Sequence, residues 1–472
     1  MTLRACALAL ALVAPFSSTH AAAFSPCDDA ASTAVLAGSR CAIENVPADP
    51  SGAAGTKGEV SLFVRMFPAV GARRGSVWLI AGGPGESGAA FYGLLPTLRD
   101  TFPGFDLIVP DHRGTGASTR MCPHEEAVAS PGGTSLAGAE WGSCFASLQA
   151  NPAYTRQFSQ TNAAYDLHTL LARAPRAGKT FVYGVSYGTQ LVLRTVALGT
   201  PGIDGIILDS LVPLQDDATA DLSRRSLVTD AVGRRILAAC DAGRTCSSAI
   251  GAPVEQLYRK VLARAAREPQ LLDAVPGKNP KRFFGSLLDM PGAAAQIPYL
   301  IKEIDTGGAT RMQAVIASVE QQMAGLGTFA QSAPSLPLVI LISGAENNLQ
   351  PGRTAQQVAT EEAGLLFASP LPGYLVDPPF PLYARDAWFA KLPAQLPPTL
   401  VIHGTQDAKT PYDAALRHIA ALRKAGKVDL VTADGGGHFV LWTNTGCARP
   451  AVRNFVLGSK AATQCVSVAS GD

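Results

Sequence analysis

The chain is poor in charge and in aromatic side chains: 16% of its 472 residues are Asp, Glu, Lys or Arg, and 7% are Phe, Trp or Tyr. Neither sign of charge dominates, with 39 Lys and Arg against 37 Asp and Glu. That balance removes the electrostatic case for a nucleic-acid partner, which needs clustered and unopposed cations. No cysteine pair has C-x-x-C spacing beside histidines, so no zinc site is expected, and no other metal or cofactor. Beyond the first residues no apolar run is long enough to span a bilayer, so no membrane partner is expected either. What the chain has in quantity is apolar residues, 47% of the total, which excludes a disordered protein. At roughly 150 residues per domain, the length suggests about three domains, or one large domain carrying an insertion.

The first segment reads as an address rather than as fold. Met1 to Arg4 carries one positive charge, an apolar run extends from Ala5 to Phe16, and polar residues then lead to Ala21-Ala22-Ala23. This is the layout of a secretory signal peptide over residues 1–23, with cleavage after Ala23. The apolar run is shorter than the ~20 residues of a membrane anchor. Phe24-Ser25-Pro26 ahead of Cys27 is no lipobox, which argues against a lipid anchor. The chain is therefore expected to be exported, periplasmic or secreted. Of nine cysteines, removal of Cys6 leaves an even eight, which in an exported chain reads as disulfides. They fall into sequence-local couples, Cys27 and Cys41, Cys122 and Cys144, Cys240 and Cys246, Cys447 and Cys465, although such counting leaves connectivity open.

Short apolar runs recur along the chain, each ending in a Gly-rich or polar turn. Val60–Met66 alternates like a half-exposed strand. Ser76–Ile80, Asp106–Val109, Thr180–Tyr183, Gly205–Leu208, Thr399–Ile402 and Asp429–Thr432 read as strands of a buried parallel sheet. Helical periodicity lies between them, over Thr161–Ala172 and Tyr187–Leu198. The alternation predicts a doubly wound, mostly parallel α/β sheet. It stops between Leu214 and about Pro397, where the patterns are mostly helical: Leu222–Ala239, Val254–Ala266, Lys281–Leu288, Ala309–Met323 and Ala355–Leu366. The expected organisation is a sheet domain over residues 24–213 and 397–472, interrupted by a helical cap insertion over 214–396.

Chemistry enters at Gly184-Val185-Ser186-Tyr187-Gly188, a G-x-S-x-G match. Alone the match is weak in a chain with 46 glycines. Its setting strengthens it, because a strand run precedes the pentapeptide and a helical pattern follows it. That is the nucleophile elbow, which makes Ser186 the candidate nucleophile. A serine hydroxyl needs a base to take its proton. His438, in Gly435-Gly436-Gly437-His438 after the last strand run, is the candidate base. His403 on a strand reads as packed, and His112 between Asp111 and Arg113 as part of a structural loop. An orienting acid is expected between serine and histidine in the chain. Asp407 is the first candidate, with Asp209 at the end of an earlier strand as its rival. Ala81-Gly82-Gly83-Pro84-Gly85-Glu86-Ser87-Gly88 follows another strand, and the amides of Gly83 and Tyr187 are the candidate oxyanion hole. A phosphate-binding loop is the competing reading of that segment. It lacks G-K-[ST], and Pro84 removes a donor.

Five motifs occur in order: Gly82-Gly83-Pro84-Gly85-x-Ser87-Gly88, Asp111-x-Arg113-Gly114-x-Gly116-x-Ser118, Gly184-x-Ser186-Tyr187-Gly188-Thr189, Gly404-x-x-Asp407-x-x-Thr410-Pro411 and Gly437-His438. Together they resemble the prolyl and tripeptidyl aminopeptidase family of α/β-hydrolases, closest to its exported tripeptidyl branch. The resemblance implies the α/β-hydrolase fold and a cofactor-free serine exopeptidase acting on peptides with a free N-terminus. In that family the cap supplies acids that hold the substrate ammonium. Leu341-Ile342-Ser343-Gly344-Ala345-Glu346 is similar to the segment carrying one of them, which makes Glu346 the substrate-binding candidate. Ala81 stands where prolyl-type members carry histidine, Glu86 where a small residue is usual, Gly344 in place of a cysteine, and Phe439 where many relatives have glycine. Two rivals remain: a carboxylesterase or lipase-like enzyme on the same fold, and a non-catalytic binding protein. Oligomeric state is not legible in the sequence.

Overall fold

The computed structural model of the chain describes residues 23–326, 329–459 and 464–466. Apart from Ala23, the expected signal peptide lies outside the described residues. A single sheet holds the strands β1 (Ser25–Pro26), β2 (Arg40–Pro47), β3 (Glu59–Phe67), β4 (Gly75–Ile80), β5 (Phe105–Pro110), β6 (Lys179–Val185), β7 (Gly205–Asp209), β8 (Thr399–Gly404), β9 (Val428–Asp434) and β10 (Gln464–Val466). Their spatial order is β1-β2-β3-β5-β4-β6-β7-β8-β9-β10. β1, β2, β3 and β5 pair antiparallel, and every pairing from β5 through β4 to β10 is parallel. All the apolar runs form strands with slightly wider bounds. β2 has no such run because it lies towards the sheet edge and alternates exposed with buried residues against β3.

The parallel strands are apolar throughout because both faces are covered. Val77 and Leu79 of β4 point into one core, while Trp78 and Ile80 point into the other. The same alternation sets Ile207 of β7 apart from its neighbours Ile206 and Leu208. Helix α1 (Gln160–Arg173) is capped by Ser159, whose side chain accepts from the Asn162 amide. It packs beside α2 (Tyr187–Leu198), which is buried continuously from Tyr187 to Val196.

Between β7 and β8 the described residues form helices and no strand. These include α3 (Arg225–Ala242), Val254–Ala265, Ile297–Thr306, Thr310–Ala324 and α4 (Leu336–Glu346). Tyr258, Phe284, Ile301 and Phe367 belong to a third core, built mainly from this interval. Helix α4 behaves differently, because Leu338, Leu341, Ile342 and Ala345 join the core of the sheet. Four disulfides close, Cys27–Cys41, Cys122–Cys144, Cys240–Cys246 and Cys447–Cys465, which are the sequence-local couples. Such bonds persist in an oxidising, extracellular type of compartment. Among the described residues no helix is long and apolar enough to cross a membrane.

Candidate active site

The C-terminal ends of β4, β6, β7, β8 and β9 share one edge of the sheet, where ligands bind in open α/β folds. Ser186 follows β6 directly, with φ 53° and ψ −126°, a strained conformation for a residue with a side chain. The flanking glycines are steric requirements. A Cβ at Gly188 would stand 2.4 Å from the Ile80 carbonyl oxygen, and one at Gly184 would stand 2.7 Å from the Gly188 oxygen. The turn is held by the Ser186 amide donating to the Asp209 carbonyl at 3.0 Å and by the Thr189 hydroxyl donating to the Ser186 carbonyl at 2.7 Å.

Asp407 and His438 meet at the same sheet edge, with 2.9 Å between Asp407 Oδ2 and His438 Nδ1, and His438 lines one cavity with Ser186. The carboxylate also accepts from the amides of Lys409 at 2.8 Å and Thr410 at 2.7 Å, and from the Thr410 hydroxyl at 2.7 Å. Burial alone would raise the pKa of Asp407. The field and hydrogen bond of His438, with help from His403 and the Thr410 amide, instead hold it well below the ordinary carboxylate range. With Nδ1 occupied by Asp407, Nε2 is the imidazole nitrogen left for a reacting group. Glycine at 404 lets the histidine loop approach, since a Cβ there would lie 2.3 Å from the Gly436 oxygen.

The rival acid, Asp209, does something else. Its carboxylate accepts from the amides of Val440 at 2.8 Å and Leu441 at 2.9 Å, and from the Tyr183 hydroxyl at 2.7 Å. It anchors the chain immediately after His438. Desolvation raises its pKa despite those bonds. His403 is packed, as its sequence setting suggests. It accepts the Leu211 amide at 3.1 Å and lies 2.7 Å from the Thr410 carbonyl, and burial keeps its pKa low.

Gly83, with φ +104°, and Tyr187, the first residue of α2, line the same cavity as Ser186 and His438. A first-turn amide such as that of Tyr187 has no acceptor within its own helix. The Asp111 motif turns out to be architectural. Asp111 accepts the Gly88 amide at 2.7 Å and the Ala117 amide at 2.8 Å, tying the Gly-rich loop down. Arg113 is buried in a two-pronged pair with Asp166, both contacts at 2.6 Å.

The cavity holds about 520 Å³ and has an apolar side that includes Met290, Met323, Leu326 and Trp442. Its charged lining includes Glu86, Arg225, Asp289 and Lys409, of which only Glu86 is conspicuous in the sequence. The Lys409 ammonium lies 2.9 Å from Asp289, which together with Glu86 raises its pKa. Confinement pulls Arg225 down to about 10, against the opposing fields of Asp407, Asp289 and Asp221. A Cβ at Gly82 would stand 3.1 Å from Ser186 Cβ and 3.2 Å from Glu86 Oε2, so the Glu86 carboxylate and the serine flank the same glycine.

Glu346 is placed differently from its expected role. It is not part of the cavity wall, and its carboxylate takes Arg194 Nη2 at 3.1 Å, Gln215 Nε2 at 2.8 Å and the Tyr383 hydroxyl at 2.9 Å. Glu346, expected to hold a substrate ammonium, has its charge matched in this structure by a buried guanidinium. Nothing in a one-dimensional reading places Arg194, 152 residues away, opposite it.

The sheet, the elbow after β6 and the histidine loop after β9 define an α/β hydrolase. A family profile described as alpha/beta hydrolase fold matches residues 75–247, and one described as TAP-like protein matches residues 381–465. The chain belongs to the tripeptidyl aminopeptidase-like α/β hydrolases. No curated protein matches it. Among solved structures, a bromoperoxidase from Bacillus anthracis is similar at 14% identity and TM-score 0.37, over 88% of this chain and 100% of that one. Epoxide hydrolase A from Mycobacterium thermoresistibile is similar at 16% identity and TM-score 0.35, over 89% of this chain and 100% of that one.

Proposed function

We propose that this hydrolase is an exported serine exopeptidase that cleaves peptide bonds near free N-termini. Ser186 attacks the scissile carbonyl, His438 takes its proton and returns it to the leaving amine, and Asp407 fixes the imidazole. The Gly83 and Tyr187 amides receive the oxyanion. The observation that carries the reading is the 2.9 Å contact between Asp407 and His438 on the sheet edge that presents Ser186 in its elbow. No side chain of the triad needs a metal or cofactor for acyl transfer.

With Glu346 paired to Arg194, the acid available to a substrate ammonium is Glu86, which reaches the cavity beside Ser186. A carboxylate in that position would favour a free amine over an acylated one. The apolar side of the cavity favours one second reading, a carboxylesterase with an acyl pocket. Hydrolysis of amide substrates from aminoacyl to tripeptidyl, each with a free and an acetylated amine, separates the two when short-chain esters are run alongside. Turnover abolished by acetylation and by Ser186→Ala is the expected result. Turnover of esters alone, indifferent to the amine, would replace the peptidase with a carboxylesterase.

A further inference from the structure

Three of the buried arginines are matched by acids. Arg65 meets Asp29 at 2.7 Å, Arg113 meets Asp166 at 2.6 Å, and Arg194 meets Glu346 at 3.1 Å. Half-buried Arg225, beside the candidate catalytic groups, forms no ion pair among the described residues. It opens α3 and lines the cavity that holds Ser186 and His438. Its Nε is buried without a hydrogen-bond partner among the described residues. The acids whose fields reach it are Asp407, Asp289 and Asp221. Each is engaged elsewhere: Asp407 by His438 and the 409–410 turn, Asp289 by Lys409 at 2.9 Å, and Asp221 by Ser223 and by the Leu349 amide at 2.8 Å. Arg225 therefore lines the cavity with no ion pair to a protein carboxylate among the described residues. The positive end of the 18-residue helix α3 adds to the attraction for an anion.

We infer that Arg225 anchors a carboxylate-binding subsite of the cavity, so that preferred substrates carry a carboxylate in reach of the scissile bond. The proposal rests on the peptidase reading for its choice of ligand. A planar guanidinium binds carboxylate through two parallel hydrogen bonds, a geometry lysine does not reproduce. In a peptide the carboxylate has two sources, the C-terminus of a short substrate or an acidic side chain. Thr229, one turn further along α3, also lines the cavity, with its hydroxyl donating back to the Arg225 carbonyl at 3.1 Å.

Calorimetric titration of the full-length Ser186→Ala protein, which cannot turn its ligands over, tests this directly. One pair of probes is Ala-Ala-Ala and its C-terminal amide, and the other is Ala-Glu-Ala amide and Ala-Gln-Ala amide. In at least one pair the acid is expected to bind about tenfold to a hundredfold more tightly than its neutral partner. The pair that discriminates identifies the source of the carboxylate. Arg225→Met added to Ser186→Ala should remove the difference while leaving the neutral peptide's affinity unchanged, and Arg225→Lys should retain part of it. Equal affinities within both pairs would overturn the subsite, as would an equal loss for acid and amide in Arg225→Met. The comparison in Ser186→Ala stands even if the Arg225 variants fail to fold. Absence of peptide turnover by the parent enzyme, with the acid preference intact, would count against the peptidase reading alone.

Discussion

Arg194 on α2 and Glu346 at the end of α4 meet at 3.1 Å, with each side chain only 2% exposed. The pair joins the helix that starts at the elbow to a helix from the interval between β7 and β8. Arg194 also donates to the Thr161 hydroxyl at 2.6 Å and to Gln215 at 2.9 Å, and Tyr383 closes the far side of Glu346 at 2.9 Å. A network this complete is satisfied within the protein and has no charge left over for a ligand.

Removing one partner of such a pair strands the other in a dry site. Glu346→Ala is expected to lower unfolding stability by roughly 3 kcal/mol, because Arg194 keeps its charge and loses its closest counter-ion. Glu346→Gln, which preserves most of the hydrogen-bond shape, should cost less. Urea denaturation measures both. In the fraction that stays folded, KM for free-amine peptides should be little changed. A large selective rise in KM without loss of stability would restore Glu346 as a substrate ligand.

The glycines of the elbow make a sharper stability prediction. In Gly188→Ala the new methyl meets backbone oxygens of Ile80 and Ala81, at 2.4 and 2.7 Å, which cannot rotate away. A loss of about 3 kcal/mol is expected, with activity falling in step as Ser186 is displaced. Gly142→Ala is the control. It lies exposed in the helix Glu140–Ala150, with nothing within 4 Å of the new methyl, and should gain about 0.5–1 kcal/mol. Thermal melts that move both variants the same way would contradict the steric account.

These glycines also show what the sequence could reveal. Ser186, Asp407 and His438 were legible because each follows an apolar strand, and strand ends in a parallel sheet converge on one edge. Helix α4 was not, because Leu336–Glu346 is apolar on nearly every face and a buried helix leaves no period to detect. β2 was hidden for the opposite reason, a polar strand near the sheet edge. Arg225 looks like any arginine of a polar helical stretch. Only the fold shows that every nearby carboxylate is already taken.

Asp209 tests whether the two acids of the site have separate duties. Asp209→Ala strands the buried amides of Val440 and Leu441 and loosens the chain next to His438. A fall in kcat of about a hundredfold is expected from misplacement of the imidazole. The pH profile of kcat should keep its shape, because Asp407 still holds Nδ1. A loss as deep as that of an Asp407 variant, or a shifted profile, would make Asp209 the orienting acid.

Asp407 carries the corresponding prediction for catalysis and for acid stability. Asp407→Asn keeps the volume but loses the charge and the tautomer control, and kcat should fall by about 10⁴-fold with the fold intact. The stability effect has a definite sign. The native carboxyl is held below its unfolded pKa of about 3.9, so it contributes stability above that value. The contribution is lost as pH falls through the native pKa. Wild type and Asp407→Asn should therefore differ most in urea stability near pH 6–7, and the difference should shrink steadily as pH falls below about 4, where the unfolded carboxyl takes up its proton while the native one still resists protonation. A difference that stays constant with pH, or that widens in acid, would mean that the 2.9 Å contact to His438 does not set the protonation of Asp407.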